Sequence, residues 1–253
     1  MIDTHCHLCD KRFDKDRPQV FDRAHHAGVT RLVEIAYAPE IVQRAFDLAR
    51  EHPDVFLCVG VHPGESGRVP DDYLDALRDH ARHPRVVAIG ETGLDFHRDH
   101  APREAQERWF RAQLGLADAL GLPVVIHQRA ALADTLAILE ETRPAAGGVL
   151  HCFDDGPAAV ERAHALGFKL GLGGVLTYGH APLEEAVTGA PAEMLVLETD
   201  SPYLEPEPRS LRRNEPGLLA RVLPKLCALR GWTAAEAERI TTANARELFR
   251  FGD

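Results

Sequence analysis

Residues 102–127 read PREAQERWFRAQLGLADALGLPVVIH and contain one complete helix-and-strand unit. The pattern predicts a helix over Pro102–Leu120, which Gly121-Leu-Pro123 ends because glycine and proline interrupt helices. The apolar run Val124–His127 that follows is typical of a buried parallel strand. This stretch therefore predicts the repeating unit of an α/β fold.

The same alternation of apolar runs and helical stretches continues through the whole chain. Seven more apolar runs are predicted as buried strands: Ile2–Leu8, Arg31–Tyr37, Val55–His62, Val86–Gly90, Val149–Phe153, Lys169–Gly173 and Leu195–Glu198. A further helix is expected at Pro157–Leu166. Eight strand–helix units in 253 residues predict a (β/α)8 TIM barrel. A doubly wound open sheet is the alternative, but it typically has fewer strands for this length.

One domain is expected over residues 1–253, because no long low-complexity linker divides the chain. After the eighth unit, Thr233–Phe249 is predicted to form an extra C-terminal helix. Thr233 is a suitable N-cap for it, and Glu236 three residues later would complete a capping box.

Composition excludes several classes of protein. The formal net charge is −10, whereas a protein that coats nucleic acid over a broad surface is usually basic. A small cleft with metals and a few arginines is compatible with this charge. No run of roughly 18 apolar residues is present, so neither a membrane span nor a membrane partner is expected.

The five cysteines are scattered and odd in number, which is typical of reduced intracellular thiols. The stretch Met1-Ile-Asp-Thr-His5 lacks the basic and apolar regions of a secretory signal, so a cytoplasmic location is expected. Cys6 and Cys9 form a C-x-x-C pair, but no second pair completes a zinc site.

Two histidines lie on one face of the first predicted strand. In Asp3-Thr-His-Cys-His-Leu8, residues two apart point the same way, so His5 and His7 project together and Cys6 points away. Two adjacent imidazoles at a strand end can hold one metal ion. A hydrogen-bonded pair of core histidines is the alternative, and the H-x-H pattern alone does not separate them.

Four more polar residues stand at the ends of predicted strands: Glu91, His127, His151 and Asp200. In a (β/α)8 barrel these carboxyl ends form the rim where active sites are found. A buried carboxylate or imidazole there is costly without a partner, and a metal ion is an effective one. Together with His5 and His7, the set suits two divalent ions such as Zn, Mg or Mn, which Glu91 could bridge. Such a pair of ions can orient a water and clamp a phosphate.

Nine short motifs follow one another along the chain: Asp3-Thr-His-Cys-His-Leu8, Gly60-Val-His-Pro63, Gly90-Glu-Thr-Gly-Leu-Asp95, His127-Gln-Arg129, His151-Cys-Phe153, Gly174-Val-Leu-Thr177, Glu198-Thr-Asp-Ser-Pro-Tyr-Leu204, Asn214-Glu-Pro216 and Thr242-Ala-Asn-Ala-Arg246. Each is weak alone, but their order and spacing are highly specific. They resemble the TatD family of metal-dependent deoxyribonucleases, within the wider amidohydrolase-like barrel superfamily.

The resemblance implies a hydrolase that cleaves phosphodiester bonds, with DNA as the expected substrate. It implies a single set of ligands for two metals: His5, His7, Glu91, His127, His151 and Asp200. It places His62 and Arg129 near the substrate. Asp200 and Glu91 are the expected catalytic residues, with Asp200 accepting the proton of the attacking water. Trimming of single-stranded or frayed DNA ends, of the 3′–5′ exonuclease type, is expected without an obligate protein partner.

The chain departs from the commonest family pattern at two places. Phe96 stands where a tyrosine is frequent, so the hydroxyl contact of that tyrosine is absent. Asp154-Asp155 replaces a smaller pair after His151-Cys-Phe153. Two added carboxylates near a phosphate site are expected to weaken nucleic-acid binding or change its preference.

Other polar residues have simpler interpretations. His25-His26 is expected to be solvated on a helix, and Glu198 and Asp95 are expected to support the metal ligands through hydrogen bonds. Two groups of basic residues could either contact phosphate or lie solvated at the surface. The first is His97, Arg98 and His100, and the second is Arg209, Arg212 and Arg213.

Two other functions are compatible with such a barrel. The first is hydrolysis of a small amide, lactone or phosphoester. Related barrels often bridge their metals through a modified lysine, but no lysine of this chain occupies the strand-four position of Glu91, which favours a nuclease. The second is a non-catalytic metal-binding scaffold, which would need metal sites closed to water.

Overall fold

The computed structural model describes residues 1–211 and 213–252. Its strands form one eight-stranded sheet in chain order, with helices between successive strands. The strands are β1 (Ile2–Cys6), β2 (Arg31–Ala36), β3 (Val55–Val59), β4 (Val86–Asp95), β5 (Val124–Arg129), β6 (Gly148–Leu150), β7 (Phe168–Leu172) and β8 (Leu195–Leu197). All the predicted strands are present, and their order confirms the predicted (β/α)8 fold.

The helices are α1 (Arg17–His26), α2 (Pro39–Glu51), α3 (Tyr73–Ala81), α4 (Arg103–Leu120), α5 (Leu132–Thr142), α6 (Pro157–Ala165), α7 (Ala181–Gly189), α8 (Leu219–Arg230) and α9 (Ala234–Phe249). Helix α4 ends at Gly121, whose φ of 65° is the left-handed conformation that glycine adopts at helix ends. Helix α9 begins after the predicted capping box, in which Thr233 N donates to Glu236 Oε2 (2.9 Å) and Glu236 N donates to Thr233 Oγ1 (3.2 Å). Among the described residues, no helix is long and apolar enough to cross a membrane.

Two compact units can be distinguished in the chain. The first comprises Met1–Glu34, Cys152–His164 and Lys169–Glu247. The second comprises Ile35–His151, Ala165–Phe168 and Leu248–Asp253. The single domain expected over residues 1–253 therefore stays a prediction.

In the first unit, β1 contacts both β2 and the segment just beyond β8. It pairs in parallel with β2, with Asp3 opposite Leu32 and Cys6 opposite Glu34. At its carboxyl end, Cys6 also forms a parallel bridge with Ser201, just beyond β8. Every residue of β1, including His5, is buried, and His7 just beyond the strand is buried as well.

In the second unit, β4 is longer than the sequence pattern predicts. The expected strand stops at Gly90, whereas β4 continues to Asp95 because Thr92, Gly93, Leu94 and Asp95 pair with successive residues of β5. Gly90 lies opposite Val125 and Thr92 opposite Ile126, so Glu91 is the extra residue of a β-bulge. The prediction that Glu91 follows the strand is therefore wrong, because Glu91 lies inside β4.

Candidate metal centre

The first candidate metal-binding group contains His5, His7 and Asp200, here called the β1–β8 group. His5 Nε2 lies 3.3 Å from His7 Nε2, and Asp200 Oδ1 lies 3.3 Å from His7 Nε2 and 3.8 Å from His5 Nε2. His5 is fully buried, and the Asp200 side chain is 15% exposed. The three donor atoms thus converge, and Asp200 is the most exposed of the three side chains.

Backbone hydrogen bonds hold the β1–β8 group together. Asp200 N donates to His5 O (2.9 Å), and His7 N donates to Ser201 O (2.8 Å). Asp200 itself has a φ of 55°, in the left-handed region that asparagine and aspartate tolerate better than most residues. The segment after β8 is therefore locked against the end of β1, with the Asp200 carboxylate facing both imidazoles.

Asp3 holds the backbone on either side of the β1–β8 group through hydrogen bonds to Thr199 and His5. Its carboxylate accepts hydrogen bonds from Thr199 N (2.9 Å) and Thr199 Oγ1 (2.6 Å), and a weaker one from His5 N (3.3 Å). Burial raises the pKa of Asp3 to about 7, although these hydrogen bonds lower it. Asp3 thereby fixes the backbone of a histidine on β1 relative to the backbone that precedes Asp200.

A second buried carboxylate, Glu34, fixes the chain just after β1. It accepts hydrogen bonds from Leu8 N (2.5 Å) and Cys9 N (3.1 Å). Burial raises the pKa of Glu34. No role was predicted for Asp3 or Glu34, although an acidic residue inside an apolar run such as Arg31–Ala36 is a signal that could have identified Glu34.

The second candidate metal-binding group contains His62, Glu91 and His127, and His151 lies close to its carboxylate. These four residues are here called the β4–β5 group. Glu91 Oε1 lies 2.7 Å from His127 Nδ1, 3.9 Å from His62 Nε2 and 3.9 Å from His151 Nε2. The rings of His62 and His127 meet edge to face at 4.5 Å. Glu91 is 3% exposed, so one buried carboxylate faces three imidazoles. The sequence placed His62 with the substrate, and the structure brings it beside Glu91.

Asp95 orients His127 from the other side of its ring. Asp95 Oδ2 lies 3.2 Å from His127 Nε2, while its Oδ1 accepts the backbone amides of His97 (3.0 Å) and Arg98 (3.1 Å). Burial raises the pKa of Asp95, but the hydrogen bond and charge of His127 outweigh it, and the pKa falls to about 2. Burial lowers the pKa of His127, but hydrogen bonds to Asp95 and Glu91 outweigh it, and the pKa is raised.

Both groups have a donor set and geometry that fit divalent metals. Ligands about 2.0–2.1 Å from a tetrahedral zinc ion lie roughly 3.3–3.4 Å from one another, close to the separations within the β1–β8 group. In the β4–β5 group, Nε2 of His127 meets a carboxylate and Nδ1 faces Glu91, the arrangement in which a supporting carboxylate orients a metal-binding histidine. The residues can therefore hold divalent cations.

Glu198, in the first unit, contacts the residue that follows His151 in the chain. Its Oε1 accepts the backbone amide of Cys152 at 2.6 Å, and the residue is 1% exposed. A Cβ at Gly171 would lie 2.1 Å from Glu198 Oε2, so the absence of a side chain at Gly171 makes room for this carboxylate. This contact agrees with the supporting role expected for Glu198.

The remaining candidates are more peripheral. Arg129 is exposed at the end of β5, and its carbonyl accepts the amide of Phe96 at 2.9 Å. The Phe96 ring packs under the guanidinium of Arg103, 3.9 Å from the ring centroid, so a cation–π contact occupies the place of the frequent tyrosine. His25 and His26 are both exposed on α1.

The arginines after β8 are engaged in contacts with the protein. The Arg209 guanidinium lies 3.8 Å from the centroid of the Tyr178 ring. Arg213 donates to both carboxylate oxygens of Asp16 at 2.8 Å. Arg212 lies outside the described residues. To guide a phosphate, the side chains of Arg209 and Arg213 would have to give up these contacts for contacts with the phosphate.

A (β/α)8 fold with carboxylate–imidazole groups at the ends of its strands defines this protein as a metal-dependent hydrolase. The family model for TatD-related DNases matches residues 2–250, and the chain belongs to that family. It is 39% identical, over 99% of both chains, to the 3′-5′ ssDNA/RNA exonuclease TatD of Pantoea vagans. It is 35% identical, again over 99% of both, to the uncharacterized metal-dependent hydrolase YabD of Bacillus subtilis.

Solved structures agree with this assignment. The TatD homolog YJJV from Escherichia coli superimposes with a TM-score of 0.94 at 32% identity, covering 100% of this chain and 98% of that one. A TatD-family hydrolase from Entamoeba histolytica has the same fold at 22% identity, with a TM-score of 0.90 over 98% of this chain and 97% of that one. The family resemblance of the sequence motifs is confirmed.

Proposed function

We propose that the six ligands expected from the sequence bind two divalent ions, zinc, manganese or magnesium. The proposed ligands are His5, His7, Glu91, His127, His151 and Asp200. Support comes from their placement: each lies at or just beyond the carboxyl-terminal part of its strand, where the active sites of (β/α)8 enzymes are built. His62 and Arg129 stay the proposed phosphate contacts.

Up to two metal ions per chain are expected after metal-free protein is reconstituted with zinc or manganese. The reason is that each group offers imidazole and carboxylate donors at separations that suit one ion. Elemental analysis after removal of free metal measures the content. A content of zero after careful reconstitution would contradict the proposal, whereas a value between one and two is compatible with a weaker second ion.

The proposed reaction is hydrolysis of the terminal phosphodiester of an unpaired DNA strand, in the 3′–5′ direction. The observation that carries it is the match of the TatD-related DNase model to residues 2–250 of a chain that also has both metal-binding groups. Relatives named 3′-5′ ssDNA/RNA exonuclease extend the candidate substrates to RNA. The net charge of −10 supports action at ends rather than on long duplexes.

The residues of this chain have separate tasks in that reaction. Bound divalent ions would supply an acidified water and charge neutralisation at the phosphate. The partly exposed Asp200 carboxylate accepts the proton that the attacking water loses. His62 Nε2 and the exposed Arg129 donate hydrogen bonds to phosphate oxygens, while Asp95 keeps His127 in one orientation.

Cleavage of single-stranded oligonucleotides is expected to proceed from the 3′ end with little dependence on base sequence. Blocking the 3′ terminus should stop degradation, whereas blocking the 5′ terminus should leave its rate unchanged. Labelled DNA and RNA oligonucleotides of equal length, assayed with zinc, manganese and magnesium in turn, give the measurement. Turnover of lactones or small amides without cleavage of any oligonucleotide would favour a small-molecule hydrolase instead.

A further inference from the structure

Large exposed hydrophobic side chains are concentrated in one loop of this protein. Among the described residues they are Tyr203 (43% exposed), Leu204 (36%) and Leu211 (50%). All three follow β8, and Tyr203 lies only three positions after Asp200. Isolated exposed hydrophobics are common at surfaces, but a cluster beside a polar site is typical of a binding surface.

The Tyr203 ring is held in place next to the β1–β8 group. Tyr203 N donates to Asp200 O at 2.8 Å, so the backbone of the two residues forms one turn. The ring meets the His7 ring at an interplanar angle of 82°, with the centroids 5.9 Å apart. The guanidinium of Arg12 lies 4.3 Å from the Tyr203 centroid. The Tyr203 ring is therefore positioned beside His7 and Asp200 of the β1–β8 group.

Arg12 supports Tyr203 without presenting a free positive charge. Arg12 Nε and Nη2 donate to the two carboxylate oxygens of Asp10, each at 2.9 Å. This bidentate pair neutralises the guanidinium and fixes its plane beside the ring. The Tyr203 ring is therefore an exposed aromatic face beside an arginine whose charge is balanced by Asp10.

An uncharged, planar ligand suits such a surface. Unpaired nucleobases stack on exposed aromatic side chains, and this contact tolerates any base because every base has a π-face. A base in a duplex must first be unpaired and unstacked before it can lie alone on the ring, whereas an unpaired end offers its base without that cost. The surface also adjoins the place where the phosphate of the same nucleotide would be held, since Tyr203 contacts His7.

We propose that Tyr203, supported by Arg12, stacks the unpaired base of the nucleotide beside the scissile phosphate, which makes it a substrate-binding residue that selects frayed ends. This inference rests on the exonuclease function proposed above. Stacking contributes to binding, so its loss raises KM and leaves kcat nearly unchanged.

The test compares oligonucleotides that end in two normal nucleotides with oligonucleotides that end in two abasic residues. Initial rates are measured for the metal-loaded wild type, Tyr203→Ala, Tyr203→Phe and Trp232→Ala. Trp232→Ala is the matched control, because Arg230 lies 4.6 Å from the Trp232 centroid in the same type of contact, in the turn after α8. Binding of ends with a non-hydrolysable phosphonate linkage is measured in parallel by fluorescence anisotropy.

The wild type is expected to prefer base-bearing ends about tenfold or more in kcat/KM and in affinity. Tyr203→Ala should lose that preference by weakening base-bearing ends alone, whereas Tyr203→Phe and Trp232→Ala should keep it. Equal losses on both substrates, or no loss, would overturn the stacking role. Preferential binding of base-bearing ends without any hydrolysis would retain the inference and reject the proposed exonuclease.

Discussion

Replacing Asp200 with asparagine is expected to lower kcat by roughly 100-fold or more while at least one metal ion stays bound. Asparagine keeps the size of the side chain and one ligand oxygen but removes the basic oxygen. The Asp200 carboxylate lies 3.3 Å from His7 Nε2, and its side chain is 15% exposed, so water can reach it. Bound divalent ions would acidify the attacking water, so the loss is expected at the proton-transfer step, in which Asp200 takes part. Metal stoichiometry and kcat, measured on the same preparations, test this expectation.

Two ligand variants provide the comparison for Asp200→Asn. His5→Ala and Glu91→Ala should reduce metal content as well as kcat, because each removes a buried donor atom from its group. Asp200→Asn should separate the two quantities. Near-normal kcat in a fully metallated Asp200→Asn protein would show that Asp200 is at most a ligand and that another group accepts the proton.

Gly93→Ala is expected to destabilise the protein by about 3 kcal/mol or more and to abolish most activity. A Cβ at Gly93 would lie 2.0 Å from the carbonyl oxygen of His127, its partner on β5, and the φ of 139° is one that alanine rarely adopts. The strand that carries Glu91 would have to separate from the strand that carries His127. For a protein of this size, a fall in Tm of roughly 10 °C is expected. Thermal denaturation and metal content provide the measurement.

Gly115→Ala is the control for that substitution. Gly115 lies within α4, and a Cβ there would meet no atom within 4 Å. Alanine at this position is expected to leave activity unchanged and to raise stability by up to about 1 kcal/mol, because glycine is a poor helix former. A Gly93→Ala protein as stable and active as Gly115→Ala would show that β4 and β5 accommodate the methyl group without separating.

The sequence predicts the order of strands and helices because burial on both faces leaves a continuous apolar run in each strand. Val124–Ile126, for example, is recognisable without knowledge of its neighbours, and its burial confirms the reason. The same reasoning does not predict at which residue a strand ends. The extension of β4 to Asp95 depends on pairing with β5, and the bulge at Glu91 depends on the register of both strands. Neither can be read from the residues of β4 alone.

The polar residues at strand ends were identifiable because a charged or imidazole side chain there interrupts an apolar pattern. The residues that hold them in place were not. Asp3 acts through Thr199, which is 196 positions away in the chain, and this contact exists only in the folded sheet. The approach of His62 to Glu91 similarly depends on the turn after β3, where His62 Nδ1 accepts the amide of Gly64 at 2.9 Å. Such long-range and turn-dependent contacts require the structure.

The left-handed backbone of Asp200 restricts which replacements evolution can make at this position. With a φ of 55°, asparagine and glycine fit the turn, whereas bulky or β-branched residues introduce strain. The substitution that best preserves the turn, asparagine, is also the one expected to remove the basic oxygen. A paralogue that is no longer selected for catalysis would therefore acquire asparagine here without losing its fold. It is expected to bind metal and nucleic-acid ends but not to cleave them. Asparagine at this position in a paralogue would then mark such a pseudoenzyme.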